Sequence, residues 1–195
     1  MIKRLFDIIS SLLGIIILSP VFIIIAIWVA LDSQGGILYR QLRVGKNGKE
    51  FTLLKFRTML SDSDKKGLLT IGMRDSRITR SGYYLRKYKL DELPQLFNVL
   101  IGNMSIVGPR PEVPKYVALY NNEQWKVLNV KPGITDYASI EYVNENEVLA
   151  KAANPEEMYI DEVMPAKLKL NLKYIQEMGL VTDLKIIFRT FGRIF

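Results

Sequence analysis

An uncharged, almost wholly apolar run from Ile8 to Leu31 is the strongest pattern in the chain. As one helix, its roughly 24 residues would be about 36 Å long, enough to cross a hydrocarbon core of ~30 Å. Ser19 and Pro20 interrupt the run, and proline both removes a helix donor and clashes with the preceding turn. Each remaining arm of about a dozen residues is only ~18 Å long, too short to span a bilayer. The pattern therefore predicts a helix that is kinked at Ser19-Pro20.

Basic residues flank this run on both sides. They are Lys3, Arg4, Arg40, Arg43, Lys46 and Lys49. Because lysine and arginine mark the cytoplasmic flanks of membrane segments, two basic flanks favour a segment that enters and leaves by one face. We therefore predict a re-entrant membrane helix over residues 1–34, followed by a domain on the cytoplasmic face over residues 35–195. A straight spanning helix with a tolerated proline is the alternative, and a cleaved signal peptide fits less well because the apolar stretch is too long.

Shorter patterns downstream predict a small mixed domain, so the expected fold class is α+β. Two β segments, at residues 37–39 and 51–59, flank Asn47-Gly48, a strong hairpin signal because both residues tolerate positive φ. Helices are expected over residues 81–88, 91–100, 114–127 and part of 141–162, with a polar loop at 61–67. Gly102 should end the second of these helices, and Pro132-Gly133 predicts a type II turn.

The end of the chain predicts an amphipathic helix over residues 183–195. Its apolar side carries Leu184, Ile187, Phe188, Phe191, Ile194 and Phe195, and basic residues recur every fourth position on another side. This composition is typical of a helix lying in a membrane interface. A helix that packs its apolar face on a core and exposes its basic face to water is the equal alternative.

Composition limits the available chemistry. The chain has no cysteine and no histidine, which excludes thiolate nucleophiles, disulfides and imidazole catalysis and suits a reducing compartment. Chemistry must then come from carboxylates, lysine, hydroxyls, tyrosine or a hard metal with oxygen ligands.

Charge is unevenly distributed along the chain. Residues 1–90 carry 16 Lys and Arg against 6 Asp and Glu, whereas residues 91–195 carry 11 against 14. A basic half joined to a membrane segment favours lipid headgroups or a phosphorylated substrate over nucleic acid, for which no motif is present.

Two adjacent carboxylates, Asp91 and Glu92, are the central candidates for chemistry. Asp91 is expected to cap a helix that has Pro94 in its first turn, and a helix N-terminus readily accepts phosphate. Two neighbouring carboxylates would repel a phosphate unless a divalent cation neutralised them, so Mg²⁺ is the expected third component. The alternative is that the pair only caps the helix.

Four cations lie at positions suited to binding phosphate. Lys55 and Arg57 are two apart and would share one face of a strand. Arg86 precedes Asp91 by five residues, and Arg110 lies between two prolines that fix the backbone on either side of it. Arginine matches phosphate oxygens with a fixed fork of donors. Together with the apolar run, these residues indicate an anionic phosphate substrate at a bilayer surface.

Four motifs follow one another in the chain: Lys55-Phe56-Arg57-Thr58-Met59, Leu90-Asp91-Glu92-Leu93-Pro94-Gln95-Leu96-Phe97-Asn98, Gly108-Pro109-Arg110-Pro111 and Lys131-Pro132-Gly133-Ile134-Thr135. With this order and spacing, the chain resembles the bacterial sugar transferase family over nearly its whole length. More narrowly, it is similar to the small monotopic phosphoglycosyl transferases. The apolar run with Ser19-Pro20 also resembles that family's re-entrant membrane helix.

The resemblance implies a reaction in which a UDP-sugar donates its phospho-sugar to polyprenol (undecaprenyl) phosphate and releases UMP. It implies Asp91 as the nucleophile that forms a covalent phospho-sugar aspartate, and Glu92 as its partner in holding Mg²⁺. The implied setting is the cytoplasmic face of the bacterial inner membrane, with membrane lipids as partners. Nucleic acid is not an expected partner, and a homodimer is compatible with the resemblance.

The resemblance also assigns surrounding residues. Lys55, Arg86 and Arg110 match basic family positions near the phosphates, and Asp161 roughly aligns with an acidic residue near the site. Many relatives continue the Pro-Gly-Ile-Thr motif with glycine and then Asn-Gly-Arg, whereas this chain has Asp136-Tyr137-Ala138-Ser139-Ile140-Glu141-Tyr142. Phosphate contacts of that family arginine therefore do not carry over to residues 136–147, and the transferred sugar is not identified. The open alternatives are another phosphotransferase acting on a lipid phosphate and a membrane-anchored scaffold without chemistry.

Overall fold

The computed structural model describes residues 2–61, 63 and 75–194. Most of the polar loop expected at residues 61–67 lies outside this described part of the chain. The helices and strands are, in chain order, α1 (Ile2–Ile17), α2 (Ser19–Asp32), β1 (Leu38–Val44), β2 (Glu50–Phe56), α3 (Arg80–Lys87), α4 (Gln95–Ile101), β3 (Ser105–Val107), α5 (Pro114–Val117), β4 (Gly133–Thr135), α6 (Tyr137–Glu141), α7 (Glu145–Leu149), α8 (Pro155–Met158), α9 (Met164–Gln176) and α10 (Leu180–Ile194). The expected α+β mixture of helices with small sheets is confirmed.

The predicted kink separates α1 from α2. The two helices are bent by 62° at Leu18, and Pro20 lies in the first turn of α2, where a missing N–H costs no helical bond. The Ser19 hydroxyl donates to the carbonyl of Ile16 over 2.8 Å. No single described helix is long and apolar enough to cross a bilayer, but α1 and α2 together meet the length and composition for a bent membrane segment.

The first turns of α1 are tied to the rest of the domain by charged side chains. Lys3 Nζ lies 2.5 Å from Asp183 Oδ2 on α10. Arg4 donates to two carbonyl oxygens at the C-terminal end of α4. Asp7 is buried and accepts a hydrogen bond of 2.9 Å from the Ser105 hydroxyl on β3. These contacts fix the start of α1 against α4, β3 and α10.

The end of α2 is tied to the same domain. Arg57 Nη2 donates to the carbonyl oxygens of Val29 and Ser33 over 3.2 and 2.6 Å. The Asp32 carboxylate accepts 2.8 Å hydrogen bonds from both the backbone N–H and the hydroxyl of Ser81 at the start of α3. Both ends of the bent helix pair are therefore attached to one body, which is the arrangement that a segment entering and leaving by one face requires.

The predicted hairpin is present. Strands β1 and β2 pair antiparallel from Leu38 opposite Phe56 to Val44 opposite Glu50. Between them, Asn47 and Gly48 have φ of 58° and 74°, as the turn signal predicted. The second strand ends earlier than expected, at Phe56 rather than at residue 59.

Two other local predictions were wrong. The helix expected over residues 114–127 is α-helical only in α5, because the Asn121 side chain accepts the N–H groups of Glu123 and Gln124 and starts a new turn. Gly133 does not adopt the positive φ of a type II turn. It begins β4, which pairs parallel to β3, and a Cβ on Gly133 would lie 2.1 Å from the backbone nitrogen of Gly108. Glycine is needed at position 133 because the two backbones approach too closely for a side chain.

The last helix, α10, packs on the domain through a narrow face. Ile186 and Asp183 are fully buried. Leu184, Phe188 and Phe191 are 40%, 74% and 59% exposed. The core-packing alternative requires these apolar side chains to be covered by the domain, and they are not. Their exposure favours the interfacial alternative.

Candidate functional site

Asp91 and Glu92 lie on a single 3₁₀ turn, Leu90–Glu92, which follows the left-handed residue Lys89 (φ 55°). Helix α4 begins only at Gln95, so the prediction that Asp91 caps it was wrong. The N–H groups of Leu93 and Leu96 bond three residues back, to the carbonyls of Leu90 and Leu93 over 3.3 and 3.0 Å, so the chain makes 3₁₀ turns before the α-helix begins.

Glu92 is buried and bound by two cations. Arg110 approaches it as a fork, with Nη2 2.5 Å from Oε1 and Nη1 3.2 Å from Oε2. Lys55 Nζ lies 3.0 Å from Oε1. Burial alone would raise the pKa of Glu92, but Arg110 and Lys55 hold it well below its ordinary value. Glu92 is therefore ionised and paired.

Asp91 is as buried as its neighbour but is held differently. Its carboxylate accepts no hydrogen bond within the described residues, and Lys55 Nζ lies 4.0 Å from its Oδ2. Burial raises the pKa of Asp91; Lys55 opposes this rise and Glu92 adds to it. The two carboxylates thus have pKa values shifted in opposite directions, a feature of sites that assign different roles to neighbouring acids. Asp91 is the one with free lone pairs.

The raised pKa of Asp91 predicts a pH-dependent difference in stability. Its neutral form stabilises the fold fully below the unfolded pKa of about 3.9, and this contribution is lost as pH rises through the higher folded pKa. Asparagine cannot ionise and so does not lose this stability. The Tm of Asp91→Asn minus that of the native chain should therefore increase as pH rises through that window and stay constant above it. Thermal unfolding at a series of pH values would measure it, with the exposed Asp161→Asn as control. A Tm difference that is the same at every pH would contradict the shift.

The remaining predicted site residues differ in how close they lie to the carboxylate pair. Arg86 lines the same cavity as Asp91, and burial lowers the pKa of its guanidinium while the charge of Asp91 opposes this. Arg57 also borders the cavity, but its Nη2 is bound to the end of α2. Asp161 is exposed and lies outside the cavity lining. The structure thus brings Lys55, Arg86 and Arg110 to the carboxylate pair and does not bring Asp161 there.

A set of residues that sequence reasoning missed holds the loop of Arg110. Arg43 of β1 donates to the Pro111 carbonyl and to Glu112, both over 3.1 Å. Tyr159 donates its hydroxyl to the other oxygen of Glu112. In the sequence, only the charge of Glu112 directly after the Gly-Pro-Arg-Pro motif hints at this set. Its partners Arg43 and Tyr159 are far away in the chain, so no local pattern connects them.

One cavity of about 1120 Å³ contains these groups. Gly14 and Leu18, at the bend between α1 and α2, line it together with the carboxylate pair. Lys167 and Asn171 of α9 belong to the same lining. The cavity therefore combines an apolar border at the helix bend with paired charges and uncharged polar groups, which suits a phosphate ligand that also carries an apolar part.

Comparisons with known proteins give a consistent result. The model of the family described as bacterial sugar transferase matches residues 1–195. The chain is 39% identical to a UDP-glucose:undecaprenyl-phosphate glucose-1-phosphate transferase of Klebsiella pneumoniae, over 96% of this chain and 39% of that protein. It is 35% identical to a UDP-N-acetylgalactosamine-undecaprenyl-phosphate N-acetylgalactosaminephosphotransferase of Aeromonas hydrophila, over 97% of this chain and 42% of that protein. It is 37% identical to the exopolysaccharide production protein PSS of Rhizobium leguminosarum bv. phaseoli, over 97% of this chain and 92% of that protein. The chain therefore spans about two fifths of the length of the first two relatives and nearly all of the third.

Proposed function

Because this chain belongs to the bacterial sugar transferase family, we propose that it transfers a sugar phosphate from a UDP-sugar to polyprenol phosphate. The observation that carries the proposal is the buried carboxylate of Asp91, which accepts no hydrogen bond within the described residues, beside the ion-paired Glu92. A scaffold in which these residues only cap a helix is disfavoured, since neither caps α4. The names of the relatives, which specify a UDP-sugar or undecaprenyl phosphate, support the same substrates.

The proposed transfer has two displacements. In the first, an oxygen of Asp91 attacks the phosphorus that carries the sugar, an Oδ–P bond forms, and the bond from this phosphorus to the oxygen of UMP breaks. In the second, a phosphate oxygen of the polyprenol phosphate attacks the same phosphorus and the bond to Asp91 breaks. The carboxylate is regenerated, and the sugar is joined to the lipid by a diphosphate. Splitting the transfer in this way lets one site use a soluble donor and then a lipid acceptor.

The cations of the site have distinct parts in this proposal. A carboxylate is a weak nucleophile towards an anionic phosphate, so positive charge must lie next to the phosphate oxygens. Arg110 and Lys55 supply it from fixed positions beside Glu92. Arg86, which makes no hydrogen bond within the described residues, retains all its donors for the ligand. Asp91 attacks without first breaking a hydrogen bond of its own.

Mg²⁺ is the proposed cofactor, and the residues present fit it. Mg²⁺ usually binds through one or two carboxylates and completes its shell with water and substrate phosphate oxygens. Asp91, whose carboxylate accepts no hydrogen bond within the described residues, would bind the ion directly, whereas Glu92 would share with it the oxygens that Arg110 and Lys55 contact. When bound with the donor, the ion would neutralise charge on the phosphate oxygens.

We further propose that α1 and α2 lie in the cytoplasmic leaflet as a re-entrant segment. The attachment of Lys3 and Asp32 to one domain supports this, as does the exposed apolar face of α10, which would lie in the interface. The cavity lining at Gly14 and Leu18 would then be reached from the lipid phase.

The topology has a direct test. Because the chain lacks cysteine, single cysteines at Ile2 and Gln34 can be labelled in intact cells, with Lys151→Cys as a cytoplasmic control. Both sites should be protected from a membrane-impermeant thiol reagent and react only after the cells are opened. Pro20→Leu should favour a straight helix and expose the residue 2 label. Labelling at residue 2 from outside in the native sequence would contradict the re-entrant arrangement.

The activity is tested by UMP release. Purified protein, a panel of UDP-sugars, Mg²⁺ and polyprenol phosphate should yield UMP and a lipid-linked diphosphate sugar with at least one donor. Removing the metal with a chelator should stop the release, and adding Mg²⁺ back should restore it. If no donor in the panel yields UMP, the proposed function is wrong.

A further inference from the structure

One wall of the cavity carries polar groups that the proposed displacements do not use. Lys167 of α9 lies 2.7 Å from Glu145 of α7 (Nζ to Oε2), and both side chains are largely shielded from water. Asn171, one helical turn after Lys167, is only 4% exposed, and its Oδ1 has no hydrogen-bond partner among the described residues. The buried hydroxyl of Ser139 on α6 is also without a partner there. All four residues line the cavity.

Unpartnered polar groups of this kind call for an explanation. Leaving a buried amide or hydroxyl without a hydrogen bond costs about 1–3 kcal/mol, and folded proteins rarely accept that cost. Asn171 and Ser139 both carry this cost, and they lie on neighbouring helices that border one cavity. An asparagine amide can turn over with little change of shape, so Asn171 can present either its oxygen or its nitrogen to a ligand. The wall therefore has the properties of a binding surface for an uncharged polar group.

This wall is joined to the phosphate-binding arginine. The Asp136 carboxylate accepts the backbone N–H of Arg110 over 3.2 Å with one oxygen and the backbone N–H of Ser139 over 2.6 Å with the other. The charge of Glu92 chiefly raises the pKa of the Arg110 guanidinium, and Glu145 is among the charges that add to it. The wall therefore adjoins the loop of Arg110, beside which the phosphates are proposed to bind.

Resting on the proposed function, we propose that Ser139, Glu145, Lys167 and Asn171 form the subsite that binds the sugar ring of the donor and selects the sugar. Their chemistry fits hydroxyl and acetamido groups, since the carboxylate accepts hydrogen bonds while the ammonium and amide donate them. The Lys167–Glu145 pair is neutral overall, and Glu145 would repel a phosphate. The charged end of the donor thus belongs at Arg110 and the uncharged ring belongs at this wall.

The test compares donor preference with nucleotide binding. In Asn171→Leu and Glu145→Gln, kcat/KM is measured for UDP-glucose, UDP-galactose and their N-acetylhexosamine counterparts, and calorimetry gives the Kd of UDP, which lacks the sugar that is transferred. We expect the ratio of kcat/KM between the preferred donor and its nearest competitor to change about 10-fold or more, while UDP binding is unchanged. Asn171→Leu should also keep or raise the Tm, because it removes a buried oxygen that has no hydrogen-bond partner among the described residues.

The matched control is Lys173→Met, on the same helix, which removes a lysine from the exposed pair Lys173–Glu177 and should leave donor preference as it is. If the native protein releases UMP but both subsite variants keep its donor preference, the subsite is refuted and the proposed function stands. If binding of UDP alone weakens as much as binding of the UDP-sugars, the wall binds the nucleotide and the sugar assignment is wrong. If the native protein uses no UDP-sugar, the proposed function fails and the subsite with it.

Discussion

Asp91→Asn is expected to abolish sugar-phosphate transfer, with kcat lowered at least about 10³-fold, while the protein stays folded. Asparagine has nearly the same shape as aspartate but no nucleophilic oxygen. The substitution removes only the charge that faces Lys55 at 4.0 Å, because the Asp91 side chain neither caps α4 nor accepts a hydrogen bond within the described residues. The chemical role of this residue is thus separable from its structural role.

The measurement is a burst of UMP and a change in mass. With UDP-sugar and Mg²⁺ but no lipid acceptor, the native protein should release about one equivalent of UMP and gain a phospho-sugar that maps to Asp91. Adding polyprenol phosphate should remove the adduct, and Asp91→Asn should form none. Should UMP appear only when both substrates are present, and no adduct form, the transfer would be direct and the two-step proposal would fail.

Arg110→Lys is expected to lower kcat/KM about 10- to 100-fold, although it keeps the positive charge. Two nitrogens of the guanidinium contact the two oxygens of Glu92, and a lysine ammonium cannot reproduce that fork. The backbone N–H bond from residue 110 to Asp136 does not depend on the side chain, so the loop should keep its path. The loss should therefore reflect the geometry of the phosphate site rather than a disturbed fold.

Steady-state kinetics with saturating acceptor would measure this effect. Arg189→Lys, an exposed arginine on α10, provides the matched control and should behave like the native protein. Arg110→Lys with native kinetics would show that a single positive charge suffices at this position and that the fork has no function in transfer.

Features that depend on local stereochemistry were predictable from the sequence. The bend at Ser19-Pro20 follows from the missing N–H of proline, and the turn at Asn47-Gly48 follows from tolerance of positive φ. Gly102 ends α4 with φ of 98°, as its position predicted. Each of these outcomes is determined within a few residues, so distant parts of the chain hardly affect it.

Features that depend on contacts between distant residues were not predictable. The sequence suggested that Arg57 shares a strand face with Lys55, but β2 ends at Phe56 and the Arg57 guanidinium turns to α2. The sequence predicts a turn at Gly133, although its backbone contacts Gly108, 25 positions earlier. The buried Oδ1 of Asn171, which has no partner among the described residues, gives no signal in a sequence, because only the packing of other helices around it reveals the missing partner.

The ion pair between Lys3 and Asp183 has a consequence for biosynthesis. At translation rates of about 5–20 residues per second, roughly 10–40 s separate the synthesis of these two residues. During that interval the first helix must associate with the membrane or with a chaperone before its final partner exists. In a nascent chain halted before α10, the N-terminus should therefore be held less firmly than in the finished protein. Protease cleavage near that end, compared between halted and complete chains, would show when α10 makes this contact.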